Sequence, residues 1–277
     1  MHVLVFGAAA LAPVVPPGYR AIQRSEQAAV PLRWHPLREL FPAAAKHTTH
    51  EPHAVWADLL AAAGIGPHHG LFIDVGAACR MEDGRVALSL GYRVLAFELR
   101  QKCQKMLRDA FAAPLANRSL ELRGTAVSNI SAHRLMYEAH DSSSLEALAV
   151  ATGVEKTFHE GSRRHTYRVQ TTTLDEVVGQ HAVAVIKLDI QGHEHEALLG
   201  AHALLSRPAA KAPLVEFEYY EYLRPNMPRH SSLHLLRGYG YECYDIGAGR
   251  RTRTLEQPIR SDFACIKRRK QAVATRP

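Results

Sequence analysis

The sequence contains no run approaching the roughly 18 apolar residues that a helix needs to cross a bilayer, which excludes a helical membrane span. Cysteine is scarce. The four present, Cys79, Cys103, Cys243 and Cys265, stand far apart with no Cys-x-x-Cys spacing, which excludes the common zinc and dithiol patterns. They read as buried small hydrophobes of a reducing compartment. Long blocks of one charge are missing too. Lys and Arg number 34 against 27 Asp and Glu, a formal net charge of +7, but the excess is dispersed. Its densest cluster, Lys267-Arg268-Arg269-Lys270, reads as a solvated tail. An anionic partner is conceivable, but nucleic acid, suggested by charge alone, is not the expected one.

What is there is a globular composition, 47% hydrophobic and 22% charged over 277 residues, enough for one sizeable core and an appendage. The first residues leave two readings open. Val3 to Ala12 is apolar and ends in Ala-Leu-Ala, as a short signal peptide would, yet it lacks a positive n-region and equally suits a buried strand. A cytoplasmic location is the expectation, with secretion as the alternative. Residues 1–66 read as a proline-rich arm with a short helix: residues 12 to about 52 carry Pro13, Pro16, Pro17, Pro31, Pro36, Pro42 and Pro52, and Ala54, Val55, Leu59, Leu60 and Ala63 then recur at helical spacing.

From residue 70 short apolar runs alternate with amphipathic stretches, the pattern of a parallel sheet with crossover helices. Leu71 to Val75, Arg93 to Glu98, Leu120 to Val127, Ala182 to Leu188 and Leu214 to Glu218 read as five strands. Helices are expected around Val86 to Leu90, over Cys103 to Phe111, over Ala197 to Leu205 and over Leu233 to Arg237. Residues 133 to 173 turn polar and alternating, as an antiparallel or loop insertion would. Two last strands, near Tyr241 to Ile246 and Phe263 to Lys267, suggest a closing hairpin. The main domain is read as 67–270, with 271–277 as a tail.

In such a sheet ligands bind beyond the carboxyl ends of the strands, where strand order reverses. Asp74 and Gly76 close the first strand there, and the glycine suits a close backbone approach. Glu98 closes the second strand, where a carboxylate can accept both hydroxyls of a ribose. Singly, Asp74 also fits a helix cap and Glu98 a solvated strand end; together they fit a nucleotide. The run His193-Glu194-His195-Glu196 lacks the His-Glu-x-x-His spacing that sets two imidazoles on one helical face, so no metal is expected. Glu216, Glu218 and Glu221, interleaved with Phe217, Tyr219, Tyr220 and Tyr222, suit either an acceptor pocket or a strand end with core aromatics.

Three segments together carry a resemblance: Phe72-Ile73-Asp74-Val75-Gly76-Ala77, Val94-Leu95-Ala96-Phe97-Glu98, and Ile186-Lys187-Leu188-Asp189-Ile190-Gln191-Gly192-His193-Glu194. They resemble the FkbM family of methyltransferases, whose pattern runs roughly I-D-V-G-A-N-x-G, V-x-A-F-E-P and I-K-x-D-V-E-G-x-E. Ala126-Val127-Ser128, Ser142-Ser143-Ser144, Thr173-Leu174-Asp175 and Leu199-Gly200-Ala201 also match in order, so the resemblance covers about residues 70 to 225. The sequence departs from the pattern at Ala78 (Asn in the family), Arg80 (the second glycine), Leu99 (Pro) and Gln191 (Glu).

The resemblance implies an α/β fold of the Rossmann-like class I methyltransferase type, with a mostly parallel central sheet, helices on both faces and an antiparallel C-terminal hairpin. It implies S-adenosylmethionine as cofactor. Asp74, Gly76 and Ala77 would line its methionine end, Glu98 its ribose and Ala126 its adenine, with Asp189 on the same rim. The implied activity is O-methylation of a sugar, glycan or secondary metabolite, a small-molecule or glycan acceptor. Asp189 is the first candidate base, with Glu194 and His193 as further catalytic candidates. Two rivals stand beside this reading. One is a methyltransferase-like binding module with lost catalysis, motivated by Ala78, Arg80 and Gln191. The other is a nicotinamide-dependent reductase, which the chain fits poorly because it has neither a full glycine fingerprint nor a Tyr-x-x-x-Lys pair.

Overall fold

The computed structural model describes residues 35–36, 56–139, 142–144, 165–220, 228, 230–246 and 260–267. The apolar Val3 to Ala12 run, most of the proline-rich arm, Arg268 to Lys270, Glu221 and Tyr222 lie outside them. In chain order the elements are β1 (His35–Pro36), α1 (Trp56–Ala63), a 3-10 turn (Pro67–His69), β2 (Leu71–Val75), α2 (Glu82–Ser89) and β3 (Val94–Phe97). Next come α3 (Gln101–Ala110), α4 (Ala112–Ala116), β4 (Leu120–Arg123), β5 (Ala126–Val127), β6 (His133–Ala139), β7 (Ser142–Ser144) and β8 (His165–Thr172). The chain continues through α5 (Leu174–Val178), β9 (Val183–Leu188), α6 (Glu194–Leu199), α7 (His202–Ser206), β10 (Leu214–Tyr220), α8 (Ser231–Gly238), β11 (Tyr241–Asp245) and β12 (Arg260–Lys267).

Eight of the strands form one sheet in the order β1-β11-β12-β10-β9-β2-β3-β4, parallel throughout except for β12, which runs against both its neighbours. The chain leaves β2 toward β3 and β4, then returns to place β9 on the other side of β2. The strand order therefore reverses between β2 and β9, and a ligand crevice is expected beyond their carboxyl ends. The polar 133–173 stretch forms a second, four-stranded sheet, β5-β8-β6-β7. The expected third strand, Leu120 to Val127, is two strands in two different sheets, divided at Gly124 and Thr125. The expected Ala197 to Leu205 helix is likewise broken into α6 and α7.

The period-2 alternation of the strands sorts their side chains onto two faces. On one face Phe72, Val94, Leu120, Val185 and Leu214 pack with Trp56, Leu59 and Leu60 of α1 and Leu107 of α3 in a single cluster. Trp56 meets Phe72 edge-on at 5.1 Å between centroids, so the helix assigned to the N-terminal arm is part of this core. The other face buries Ile73, Val75, Ile186, Leu188, Val215 and Phe217, with α6 packed on β10. The first face also carries a buried charged row: Asp74, Lys187 and Glu216 are cross-strand partners on β2, β9 and β10, and all three are buried.

All four cysteines are paired, Cys79 with Cys103 and Cys243 with Cys265. This corrects the reading of the four as reduced, merely space-filling thiols. Sequence spacing could not show it, because each pair is brought together by the tertiary fold: Cys79 lies in the turn after β2 and Cys103 in α3, and Cys243 and Cys265 are direct cross-strand partners in the β11–β12 pair.

Candidate active site

The rim is built outward from Asp74. Its carboxylate is completely buried, with one oxygen accepting the Gly84 amide in the first turn of α2 at 3.1 Å. The other oxygen lies 3.2 Å from the Lys187 ammonium. Asp74 thus caps α2 from a neighbouring strand and neutralises a buried cation. Lys187 also lies 3.5 Å from Asp83 and donates to the Gly76 carbonyl at 3.2 Å. Asp83 in turn accepts the Trp56 indole N–H at 2.6 Å. Burial alone would lower the pKa of Lys187, but Asp74, Asp189, Asp83 and Glu216 outweigh it and hold the amine well above its usual range. Burial raises the pKa of Asp74, against the pull of Lys187.

Gly76 is required twice over. It has φ +86°, and a Cβ there would overlap the carbonyl oxygen of Asp189. Its amide and that of Ala77 both donate to the Phe97 carbonyl at 3.0 Å, tying the end of β2 to the residue before Glu98. Register pairs Asp74 with Ala96, so Glu98, two residues on, lies on the same side of the sheet as Asp74. Glu98 is buried, and its Oε1 accepts the Arg100 backbone N–H at 2.8 Å and the Arg100 Nε at 3.2 Å. That grip leaves Oε2 as the oxygen a ribose hydroxyl can meet.

The four departures now have a physical setting. Ala78, where the family has Asn, is left-handed at φ +53°, a conformation asparagine tolerates and alanine adopts at a cost of about 1 kcal/mol. Arg80 points outward, its side chain 81% exposed and 3.7 Å from Glu82, so it does not fill the crevice. Leu99 packs against Ala126, Met136 and Val169. Gln191, left-handed at φ +54°, donates to Asp189 at 2.8 Å and to Glu218 at 3.2 Å.

The second half of the rim lies at the ends of β9 and β10. Glu218 and Asp189 hydrogen-bond as a carboxyl pair, and burial, then the Asp189 charge, push Glu218 up to about 11. Glu218 therefore carries a proton at neutral pH. Deeper on the same face, burial and then the charges of Asp83 and Asp262 raise Glu216 well above the carboxylate range. Phe217 and Tyr219 alternate with these glutamates. They turn into the opposite core, where Phe217 stacks on Phe263. Phe217 and Tyr219 are thus core residues, as one of the two readings had it.

Glu194 is buried beneath the turn after β9. Its carboxylate accepts the Ile190 amide at 3.0 Å and the Gly192 amide at 3.0 and 3.1 Å. Burial still lifts it to about 7. His193 is 1% exposed, not solvent-facing. Its Nε2 meets the Ser128 hydroxyl at 3.0 Å, which links this turn to Ala126 and Val127 of β5. At the same junction a Cβ on Gly200 would overlap the Ser128 carbonyl. Asp175 caps α7 through the Ala203 and Leu204 amides at 2.7 and 3.0 Å. The matching Ala126-Val127-Ser128, Thr173-Leu174-Asp175 and Leu199-Gly200-Ala201 triplets are thus scaffold for the rim.

The structure brings Asp74, Gly76, Ala77 and Glu98 to one side of the crevice and Asp189 to the other. Among the described residues no cluster of three or more His, Cys, Asp or Glu side chains is arranged to hold a metal ion. Sequence reasoning missed Lys187, Arg100, Ser128 and the Cys79–Cys103 bond. Lys187 did carry a signal: a lone lysine inside the apolar run Val183 to Leu188 has to find a carboxylate if that strand is buried.

A parallel sheet with this reversal, a glycine turn at the first strand and a carboxylate closing the second define the class as a Rossmann-like, nucleotide-binding α/β fold. Residues 74–243 match the Methyltransferase FkbM domain, and the chain belongs to that family of methyltransferases, whose methyl donor is S-adenosylmethionine. That membership removes the nicotinamide reading. The residues present fit such a donor, since Gly76 has no Cβ to intrude and Arg100 engages only one oxygen of Glu98.

No curated protein matches the chain in sequence. Among solved structures it is similar to the FkbM methyltransferase from Methylobacillus flagellatus KT, at 14% identity and a TM-score of 0.42. That alignment covers 82% of this chain and 58% of that one, so this chain spans little over half of that protein's length. An rRNA methylase from Streptococcus thermophilus aligns at 12% identity, covering 80% of this chain and 97% of that one, with a TM-score of 0.38. A mutant of MtNAS in complex with S-adenosylmethionine aligns at 8%, covering 83% and 70%, with a TM-score of 0.40. Among the described residues no helix is long and apolar enough to cross a membrane.

Proposed function

We propose that the chain methylates a hydroxyl oxygen of a sugar, glycan or secondary metabolite, with residues 67–270 as the catalytic domain, α1 of the 1–66 arm packed into its core, and 271–277 as a tail. The observation that carries this reading is the carboxyl pair of Asp189 and Glu218, held by Gln191 across the crevice from Glu98. When bound, S-adenosylmethionine supplies a methyl group on a positively charged sulfur. The chain's own residues hold and orient. Gly76 and Ala77 line the methionine end, with Asp74 and Lys187 fixing their loop from behind. Glu98, steadied by Arg100, accepts the ribose hydroxyls, and Ala126 lies beside the adenine.

An alcohol is a poor nucleophile until its proton has somewhere to go. Glu218 already holds a proton, so Asp189 is the carboxylate that receives the one from the acceptor. Positioning supplies much of the remaining acceleration. Glu194 and His193 act on the reaction through the turn they hold, because both are buried and engaged by protein atoms. The expected cytoplasmic setting makes both disulfides conditional, since a reducing cytosol keeps most thiols apart.

Methyl transfer from labelled cofactor to glycan and small-molecule extracts tests the reading. A labelled methyl ether with the wild type, lost with Asp189→Asn, is expected; no product from any extract with a folded, cofactor-binding sample overturns it.

A further inference from the structure

The loop after β2 and the helix after β3 are joined covalently. Cys79, inside the turn that follows Gly76, is bonded to Cys103 in the first turn of α3, their Cα atoms 4.2 Å apart. Within this turn Ala78 and Met81 both take the left-handed conformation without being glycine or asparagine, so the turn carries local strain. On the far side of the bond, α3 begins directly after Arg100, the residue that grips Glu98. The bond therefore spans the two segments assigned to opposite ends of the cofactor. The other disulfide differs in every respect: Cys243 and Cys265 face each other in a strand pair already held by its hydrogen-bond ladder, and β12 is three positions from β2 in the sheet.

We propose that Cys79–Cys103 is a redox latch on the S-adenosylmethionine pocket: the disulfide holds the pocket in its binding geometry, and reduction releases it. The inference rests on the cofactor placement given above. Its chemistry follows from exposure. Cys103 is 1% exposed whereas Cys79 is partly accessible, so the thiolate of an external dithiol attacks the Cys79 sulfur. The S–S bond breaks and its electron pair leaves on Cys103, as a thiolate favoured in the first turn of a helix. The donor's second thiol then displaces Cys79 from the mixed disulfide. The donor ends as a disulfide, and the chain has gained two electrons and two protons as two thiols.

Calorimetric titration of the full chain with S-adenosylmethionine, before and after dithiothreitol, tests the latch, with the new thiols counted by alkylation and mass. Reduction is expected to raise Kd about tenfold or more with the near-UV circular dichroism retained, and Cys103→Ser to do the same without reductant. Cys243→Ser should bind like the wild type when oxidised and still respond to reductant. An unchanged Kd with Cys79 and Cys103 shown to be free overturns the latch while leaving the pocket standing. Loss of near-UV signal together with binding overturns it in favour of a plain structural brace. Absence of binding in both states removes the pocket assignment, and the latch with it.

Discussion

At the carboxyl end of β2, buried charges of opposite sign are matched: Lys187 sits between Asp74 and Asp83 and also holds the Gly76 carbonyl. At the ends of β9 and β10, on the same face, Asp189 and Glu218 meet across a neutral amide from Gln191 and keep a proton between them. The first arrangement fixes a loop in one shape, as a site for an invariant ligand requires. The second holds a movable proton, as a site where an acceptor must lose one requires. On the function proposed above, the cofactor takes the β2–β3 side of the crevice and the acceptor the β9–β10 side.

The comparison is broken most severely at Lys187. Replacing it with Met leaves Asp74 and Asp83 buried without their cation, and breaking a buried pair in this way costs about 3–5 kcal/mol. Thermal melting should show that loss, whereas Glu216→Gln, which keeps the size of a side chain whose burial already disfavours its charge, should melt closer to wild type. Glu98→Ala should keep the fold and weaken S-adenosylmethionine binding by about 10- to 100-fold, the worth of hydrogen bonds to a charged group. Asp189→Asn, on the other side, should instead lower turnover by about 100-fold or more with a smaller change in Kd, a split that calorimetry and a transfer assay read separately.

Glu194 sharpens the comparison by pH. Its folded pKa of about 7 lies above the usual 4.5, so the protonated form is the stabilised one. That stability is full below about pH 4.5 and is lost as pH rises through 7. Glu194→Gln should flatten the unfolding free energy between those pH values by about 3 kcal/mol, measured by denaturant titration. The smallest effect is expected from Arg80→Gly. Because Arg80 points into solvent, its removal should change cofactor affinity by no more than about twofold, the size of an ordinary surface substitution. A large gain would revive the reading of a binding module weakened at this position.

The sheet was largely legible because its strands are buried on both faces and read as apolar runs. Leu71 to Val75 has the bounds expected of it, and Asp74, Glu98 and Asp189 fall at strand ends simply because a carboxylate closes each run. What was hidden depended on register and on contacts distant in sequence. That Asp74, Lys187 and Glu216 form one buried row follows only once β2, β9 and β10 are neighbours. The break between Arg123 and Ala126 arises because Gly124 and Thr125 pass the chain from one sheet to another, which no local pattern records. The helix-forming stripe of Ala197 to Leu205 hid its interruption, because it is the close approach of Gly200 to the Ser128 carbonyl that divides it.

The most direct test of the two-sided crevice is a calorimetric titration of oxidised wild-type chain and of Glu98→Ala with S-adenosylmethionine. The account predicts saturable binding to the wild type and a Kd at least about tenfold higher for the variant, with both proteins folded. Equal affinity for the two, or no binding to the wild type at millimolar cofactor, would contradict it.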